Sequence, residues 1–287
     1  MNTTLEYSIN CNGRLMDLSI PRVMGILNVT PDSFYAESRK QSEEDIMTRV
    51  RQMIDEGVEI IDIGACSTRP GAECPDEKEE SRRLRTALKP IREAFPDVVI
   101  SIDTFRASVA KMCVEEYRAD IINDISGGQF DDQMFDTAAQ LAVPYILTHT
   151  QGTPDHMQDH PHYDDLQQEL MTYLAEKVQE LRDRGLKDII LDPGFGFGKT
   201  LEHNYMMLQK MDQLQIMELP VLVGFSRKSM IYKLLNTTPE HSLNGTTVLN
   251  TIALTKGASI LRVHDVKAAR ECVDIYLKTI NPDSNPT

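Results

Sequence analysis

The sequence predicts an α/β protein, and more specifically a closed (β/α)8 barrel with an N-terminal β-hairpin cap. About eight short apolar runs are spread along the 287 residues, and nearly every run ends on a polar residue that could bind or react. The segments between the runs repeat apolar residues every three or four positions, which is the period of an amphipathic helix. Barrels of this class typically need about 250 residues, so the length favours closure over the alternative of an open, doubly wound sheet.

The apolar runs are continuous instead of alternating, as expected for parallel strands that are buried on both faces. In chain order they occupy residues 23–27, 60–63, 98–102, 121–122, 145–147, 189–191, 221–223 and 260–263. The polar residues in or after them include Asn28, Thr68, Arg69, Asp103, Asn123, Asp192, Ser226, Lys228, Arg262 and His264. All strand carboxyl ends of a barrel open on one face, so these side chains are expected to share one site.

Helices are predicted between the strands, because a parallel crossover needs a dozen or more residues. The clearest apolar faces are Ile46, Val50 and Met53; Val109, Cys113 and Val114; and Leu166, Leu170, Leu174, Val178 and Leu181. Before the first run, Asn12-Gly13 is a hairpin turn signal within residues 7–19. We therefore expect a cap over residues 1–22, one barrel domain over 23–280, and a frayed tail over 281–287.

Composition limits the setting. The formal net charge of −14 argues against nucleic acid or an anionic membrane as a partner, since both attract basic surfaces. No cationic leader or long uncharged apolar stretch is seen, so a cytoplasmic location is expected. Five cysteines, an odd number without paired metal-ligand spacing, are expected to be reduced thiols.

An anion site is predicted from four cationic or potentially cationic residues, Arg69, Lys228, Arg262 and His264, which come from strand ends 2, 7 and 8. Strand ends 7 and 8 of such barrels often bind phosphate. The alternative is that Arg227 and Lys228 form surface ion pairs and that His264 caps the following helix.

A hydrogen-bonding cradle is predicted from Asp103, Asn123 and Asp192, which together could read the donors and acceptors of a flat heterocycle. The alternative is that they are turn formers and N-caps. The run 192–199 alternates three glycines with Phe195 and Phe197, which would let its backbone pass close to a ligand. It fails the spacing of a dinucleotide fingerprint.

A series of motifs follows in order along the chain. They are Gly25-Ile26-Leu27-Asn28-Val29-Thr30-Pro31-Asp32-Ser33-Phe34, Ser67-Thr68-Arg69-Pro70-Gly71, Ser101-Ile102-Asp103-Thr104, Asn123-Asp124, the run 192–199, Ser226-Arg227-Lys228-Ser229 and Arg262-Val263-His264-Asp265. In this order, over residues 24–280, the chain resembles dihydropteroate synthase, a family of pterin-binding TIM barrels.

The resemblance implies condensation of 6-hydroxymethyl-7,8-dihydropterin diphosphate with 4-aminobenzoate, a step of folate biosynthesis and a sulfonamide target. It assigns the catalytic role to Asp103, Lys228 and Arg262, the pterin to Asp103, Asn123, Asp192 and Lys228, and the diphosphate to Asn28, Arg262 and His264, with Mg²⁺ on Asn28. Thr68, Arg69, Pro70, Phe197 and Ser229 would surround the aminobenzoate. It also implies a homodimer, to which Val248, Ile252, Val273 and Leu277 could contribute, although core packing explains those residues equally well.

Several features stay outside this assignment. Ala65-Cys66 replaces the family's common Gly-Glu, and we expect Cys66 to be an inert thiol. A solvated loop and helix start is expected around His149, His156, His160 and His162, whereas Lys199 either caps the glycine run or touches a ligand. The rival functions are a corrinoid-type pterin methyltransferase and a non-catalytic pterin-binding protein. The diphosphate and aminobenzoate residues argue against both.

Overall fold

The computed structural model describes residues 7–29, 36–66, 74–152 and 161–283, and within them the chain forms the expected barrel. The strands are β1 Ser8–Cys11, β2 Arg14–Asp17, β3 Arg22–Asn28, β4 Ile60–Gly64, β5 Val99–Asp103, β6 Ile121–Asp124, β7 Tyr145–Thr148, β8 Ile189–Asp192, β9 Leu222–Val223 and β10 Ile260–Val263. Strands β3 to β10 form one parallel sheet in the order β8-β7-β6-β5-β4-β3-β10-β9. A parallel bridge between Leu191 and Val221 joins the two ends of that order, which closes the barrel.

Helices follow the strands and pack around the sheet. They are α1 Ala36–Asp55, α2 Glu77–Ala94, α3 Ala107–Tyr117, α4 Met134–Leu141, α5 Leu166–Asp183, α6 Leu201–Gln209, α7 Ser229–Tyr232, α8 Leu243–Thr255 and α9 Val266–Ile280, with 3₁₀ turns at Met211–Met217 and Pro239–His241. The apolar faces predicted for α3 and α5 lie in the core, including all five residues of the α5 face. None of the helices in the described segments is long and apolar enough to cross a bilayer.

The N-terminal hairpin closes the lower end of the barrel, which is the end where its strands begin. Strands β1 and β2 pair antiparallel around Asn12 and Gly13, whose φ angles of 51° and 88° suit a tight two-residue turn. Ile9, Cys11 and Leu18 cluster with one residue from each barrel strand, namely Met24, Ile60, Val99, Ile121, Ile146, Ile190, Leu222 and Ile260. The lower end is therefore apolar and filled, and the carboxyl ends of the strands remain as the polar mouth.

One expectation about individual residues was wrong, and one choice that the sequence left open is decided. Cys66 and Cys74 form a disulfide with their Cα atoms 5.0 Å apart, so not all cysteines are reduced thiols. Their approach was not visible in the sequence, because it depends on how the fold places the end of β4 against the start of α2. Val273 is fully buried and belongs to the core, whereas Val248 and Ile252 are exposed on α8.

Candidate active site

A largely buried arginine lies between two carboxylates at the centre of the barrel mouth. Arg262, in β10, donates Nε to Asp62 Oδ2 at 2.7 Å and Nη2 to Asp103 Oδ2 at 2.6 Å. The Asp62 side chain is fully buried, and that of Arg262 is 17% exposed. Two residues singled out from the sequence, Asp103 and Arg262, are thus brought together, with Asp62 as a third member of the cluster.

Asp62 is the principal site residue that sequence analysis missed. It stands inside the apolar run of β4, between Ile61 and Ile63, instead of following a strand end. Its Oδ2 also accepts a hydrogen bond from Asn123 Nδ2 at 3.1 Å, whereas Oδ1 is buried without a hydrogen-bond partner among the described residues. A carboxylate within a run of isoleucines was the available signal, since aspartate is almost never fully buried unless it is paired.

The charges of this cluster depend on one another. Burial raises the pKa of Asp103 to about 7; the charge of Arg262 opposes this rise, and the carboxylate of Asp62 adds to it. Burial also disfavours the charged form of Arg262, but Asp62 and Asp103 outweigh burial and raise the pKa of Arg262. Arg262 therefore remains a cation at any physiological pH, while the charge of Asp103 responds to pH near neutrality.

Lys228 and Asp192 form the second charged part of the mouth. Lys228 Nζ donates to Phe195 O at 2.5 Å and lies 4.6 Å from the centre of the Phe197 ring. Burial lowers the pKa of Lys228 to about 8 and raises the pKa of Asp192, and in each case the partner's charge opposes the shift. Gly196 leaves room for the lysine, because a Cβ there would lie 3.2 Å from Lys228 Cδ.

An apolar wall stands beside these charges. Ile125 and Phe197 form a small cluster separate from the main core, and Phe105 packs against it. Ile125 and Phe105 were not singled out from the sequence, although both follow the ends of strands. A flat ring could stack on this wall while its edge contacts the polar residues.

The other predicted residues occupy the rim to different extents. His264 Nδ1 lies 2.9 Å from Ser226 Oγ, and the N-cap position of α9 is taken by Asp265, the residue after His264. Asn28 ends β3 with an exposed side chain, and Ser229 begins the short α7 directly after Lys228.

Arg227 pairs with Asp265 at 2.7 Å, so the surface-pair interpretation is correct for Arg227 but not for its neighbour Lys228. Thr68, Arg69 and Pro70 lie outside the described residues.

His149 and Lys199 correct and complete the sequence-based interpretation. His149 was expected in a solvated loop, but it is only 5% exposed, and its Nδ1 lies 3.0 Å from Lys199 Nζ. Lys199 Nζ also donates to Gly194 O and Phe197 O, so it caps the glycine run, which was one of the two roles considered. A single histidine after a strand gave no sign of this burial in the sequence.

The segment that follows β4 is held at both of its described ends. The Cys66–Cys74 disulfide joins the two ends. Arg83, in α2, donates to Ala65 O at 3.1 Å, and Arg106 donates to Pro75 O at 2.9 Å. Arg106 also pairs with Glu80, which is buried in α2 and accepts a hydrogen bond from Thr104. The backbone positions that flank residues 67–73 are therefore fixed against α2 and the end of β5.

Comparisons with known proteins agree with this geometry. The sequence profile of the pterin binding enzymes matches residues 24–264. The dihydropteroate synthase of Escherichia coli K12 is 41% identical over 275 residues, covering 95% of this chain and 96% of that protein. The Haemophilus influenzae enzyme is 39% identical over 272 residues, covering 94% and 98%.

Solved structures give the same result. Yersinia pestis dihydropteroate synthase in complex with a sulfonamide drug has a TM-score of 0.89 at 39% identity, covering 96% of this chain and 99% of that one. Xanthomonas albilineans dihydropteroate synthase with 4-aminobenzoic acid has a TM-score of 0.86 at 32% identity, covering 96% and 99%. The resemblance drawn from the motifs is confirmed, and the chain belongs to the dihydropteroate synthase family of pterin binding enzymes.

Proposed function

We propose that the chain condenses 6-hydroxymethyl-7,8-dihydropterin diphosphate with 4-aminobenzoate, giving 7,8-dihydropteroate and pyrophosphate. The observation that carries the proposal is the cluster in which Arg262 joins Asp62 and Asp103 beside Asn123, with the Asp192 and Lys228 pair across the same mouth. Carboxylates and an amide can accept and donate along the edge of a pterin ring, and the adjacent cations suit its diphosphate.

The pterin is assigned to the inner part of the mouth. The carboxylates of Asp103 and Asp192 would accept the ring's N–H groups, and so would Asp62 Oδ1, which has no hydrogen-bond partner within the described segments. Asn123 and Lys228 can donate. Asp62 Oδ1 is buried in this structure, so a ligand N–H reaches it only if a neighbouring side chain moves aside. A buried acceptor without a partner is costly, so that contact would gain both the new bond and the removal of that cost. A heterocycle with several N–H donors would pair these acceptors, whereas an analogue that lacks the donors would leave them unpaired and bind much more weakly.

The diphosphate is assigned to Arg262, His264 and Asn28. Arg262 uses Nε and Nη2 for the two carboxylates, and the two N–H groups of its Nη1 are suited to a phosphate oxygen. His264 lies two residues after Arg262, directly after the end of β10, and Asn28 ends the neighbouring strand β3. These groups would stabilise the negative charge that grows on the leaving diphosphate.

The aminobenzoate is assigned to the outer part of the mouth. Phe197 offers its ring as a stacking surface, and Ser229, which follows Lys228, can donate to the carboxylate. The resemblance adds Thr68, Arg69 and Pro70 to this pocket. In the reaction, the bond between the pterin methylene and the diphosphate oxygen breaks with its electron pair on oxygen. The amine nitrogen then forms the new C–N bond and loses a proton to solvent.

Positioning and electrostatics supply most of the catalysis in this account. The methylene carbon becomes cationic as the diphosphate leaves, and the carboxylate of Asp103 stabilises that charge when it is ionised. The aromatic amine is neutral at physiological pH and needs only to be held against the carbon. Lys228 contributes by holding the pterin between the Asp192 carboxylate and the backbone at Phe195.

Mg²⁺ is proposed as a companion of the diphosphate and not as a tightly held structural ion. No group of three or more His, Cys, Asp or Glu side chains within the described segments could hold a metal. The exposed amide of Asn28 nevertheless fits Mg²⁺, which keeps several waters and is commonly bound through one or two protein oxygens plus substrate phosphates. When bound there, the ion would neutralise part of the leaving group's charge.

A homodimer and a cytoplasmic location are further proposals. Three apolar side chains are exposed on α8, Val248 at 49%, Ile252 at 37% and Leu243 at 41%. Adjacent exposed apolar residues of this kind are typical of an interface between copies of a chain. Sedimentation at micromolar concentration tests it: Val248→Glu with Ile252→Glu should give monomers, and an unchanged sedimentation coefficient would place the interface elsewhere.

The reaction itself is tested by incubating the purified protein with dihydropterin diphosphate, labelled 4-aminobenzoate and Mg²⁺. We expect labelled dihydropteroate and pyrophosphate in equal amounts, and loss of both with Arg262→Met or Lys228→Met. Lys111→Met, at an exposed position on α3, is the matched control. Pterin binding without product would overturn the synthase proposal in favour of a binding protein, and methyl transfer from a methylated folate would favour the methyltransferase.

A further inference from the structure

Lys199 is a buried cation for which the proposed reaction has no role. It is only 3% exposed, and its Nζ lies at the junction of two loops. The ammonium donates to Phe197 O at 2.9 Å, Gly194 O at 3.0 Å and His149 O at 3.2 Å, with His149 Nδ1 at 3.0 Å. Several acceptors thus converge on one cation between the exits of β7 and β8.

The chain is shaped to make this junction. Gly194 has a φ of +73°, and a Cβ there would lie 1.9 Å from His149 O. Gly198 has a φ of +60°, and a Cβ there would lie 2.6 Å from Gln151 O. Only glycine lets the run pass this close to the chain that follows β7, and the close approach brings together carbonyl groups that need a donor.

Two substrate-facing groups depend on this junction. Gly194, whose carbonyl Lys199 holds, donates its N–H to Asp192 Oδ1 at 2.8 Å. Phe197, whose carbonyl Lys199 also holds, provides the ring beside Lys228 Nζ. Lys199 therefore contacts the backbone behind one residue of the pterin pocket and one residue of the aminobenzoate pocket.

We propose that Lys199 is a positioning residue for both pockets: it fixes the Asp192 carboxylate through Gly194 and the Phe197 ring through the backbone of Phe197. This inference rests on the proposed function for the identity of the two ligands. Lys199 touches no substrate in this account, and it acts through the residues it holds.

The charge of Lys199 also acts on Asp192, whose pKa it lowers. Burial lowers the pKa of Lys199 to about 7, opposed by Asp192, with Lys228 adding to the fall. Burial lowers the pKa of the facing His149 to about 2, so His149 is neutral, and its Nδ1 accepts from the ammonium. For Asp192, burial raises the pKa, and Lys228, the Gly194 N–H, Arg262 and Lys199 oppose the rise. Removing Lys199 therefore moves the ionisation of Asp192 to higher pH.

The test compares Lys199→Met with Tyr163→Phe. Tyr163 OH donates to Gly198 O at 2.9 Å, so Tyr163→Phe also removes a hydrogen bond from the glycine run but removes no charge. Pterin affinity is measured by titration with 6-hydroxymethylpterin from pH 5 to 8, and the KM for 4-aminobenzoate and kcat are measured at saturating dihydropterin diphosphate. Lys199→Gln, which keeps a donor without the charge, is the second variant if Lys199→Met does not fold.

For Lys199→Met we expect pterin binding that is about tenfold weaker at pH 7 and a KM for 4-aminobenzoate that is about fivefold higher. The acid limb, which is the loss of pterin affinity as the pH falls, should move to higher pH by about half a unit. Tyr163→Phe should leave the acid limb in place. An unmoved acid limb and an unchanged KM in a folded Lys199 variant would overturn the inference. Absence of product with the unaltered protein would instead overturn the proposed function, and the pterin titration would still decide the role of Lys199.

Discussion

Asp62 offers the sharpest test of how the site recognises its ligand, because one of its oxygens is paired and the other has no hydrogen-bond partner among the described residues. In Asp62→Asn, the amide oxygen can keep the hydrogen bonds from Arg262 and Asn123, and the amide NH₂ then replaces Oδ1. That NH₂ would meet a pterin N–H, so a donor faces a donor. Loss of one hydrogen bond to a charged group costs about 1.5–3 kcal/mol, which is about tenfold to 150-fold in pterin affinity.

The same substitution should change the pH dependence in a known direction. The carboxylate of Asp62 is one cause of the raised pKa of Asp103. Without that negative charge the pKa of Asp103 falls, and any acid limb of pterin binding that reports Asp103 moves to lower pH. The direction is opposite to the one expected for Lys199→Met, so the two variants distinguish the two carboxylates.

Calorimetric titration with 6-hydroxymethylpterin between pH 5 and 8, together with thermal denaturation, measures both effects. Asp97→Asn, the same change at a side chain that is 91% exposed, is the control. The melting temperature of Asp62→Asn should stay close to that of the unaltered protein, because a neutral amide costs less to bury than a carboxylate. Affinity within about twofold of the unaltered protein would refute the assignment of Oδ1 to the ligand.

Three further predictions follow from other parts of the structure. The pKa of His149 is lowered to about 2 in the folded protein, so below pH 6.5 the unfolded chain binds a proton that the folded chain does not. The unaltered protein should therefore lose about 2 kcal/mol of stability between pH 7 and pH 5 that His149→Asn does not lose. Equal losses of the two proteins in denaturant titrations would contradict this. Reducing the Cys66–Cys74 bond should lower the free energy of unfolding by about 2 kcal/mol. The melting temperature of the unaltered protein should therefore fall when dithiothreitol is added, whereas that of a variant with serine at both positions should not change on addition. Gly194→Ala should abolish pterin binding, since its Cβ would lie 1.9 Å from His149 O. Gly185→Ala is the control, because Gly185 also has a positive φ, of +90°, but no described atom lies within 4 Å of the added Cβ, so this variant should bind pterin normally. Normal binding by both variants would show that the glycine run can move.

The barrel could be predicted from the sequence because its signals are local and repeated. Continuous apolar runs and helical periods recur along the chain, and the closure that relates β8 to β9 follows from their number and the chain length. Residues such as Asp103, Asn123 and Asp192 were found for the same reason, since each directly follows an apolar run.

The features that were missed depend on contacts between distant segments. Asp62 lies within a strand, and its importance is clear only when Arg262, 200 residues away, is seen to reach it. The burial of His149 follows from Lys199 and the glycine run closing over it. The Cys66–Cys74 pair depends on how the fold places the end of β4 against the start of α2. Spacing along a sequence does not specify such approaches.

We infer that the charged cluster of Asp62, Asp103 and Arg262 at the barrel mouth is a pterin site. A crystal structure of the protein soaked with 6-hydroxymethylpterin tests it most directly. We expect a ring stacked beside Phe197 with its N–H groups within hydrogen-bond distance of Asp62 Oδ1, Asp103 or Asp192. A ring bound away from these carboxylates, or a mouth that stays empty at millimolar ligand, would contradict it.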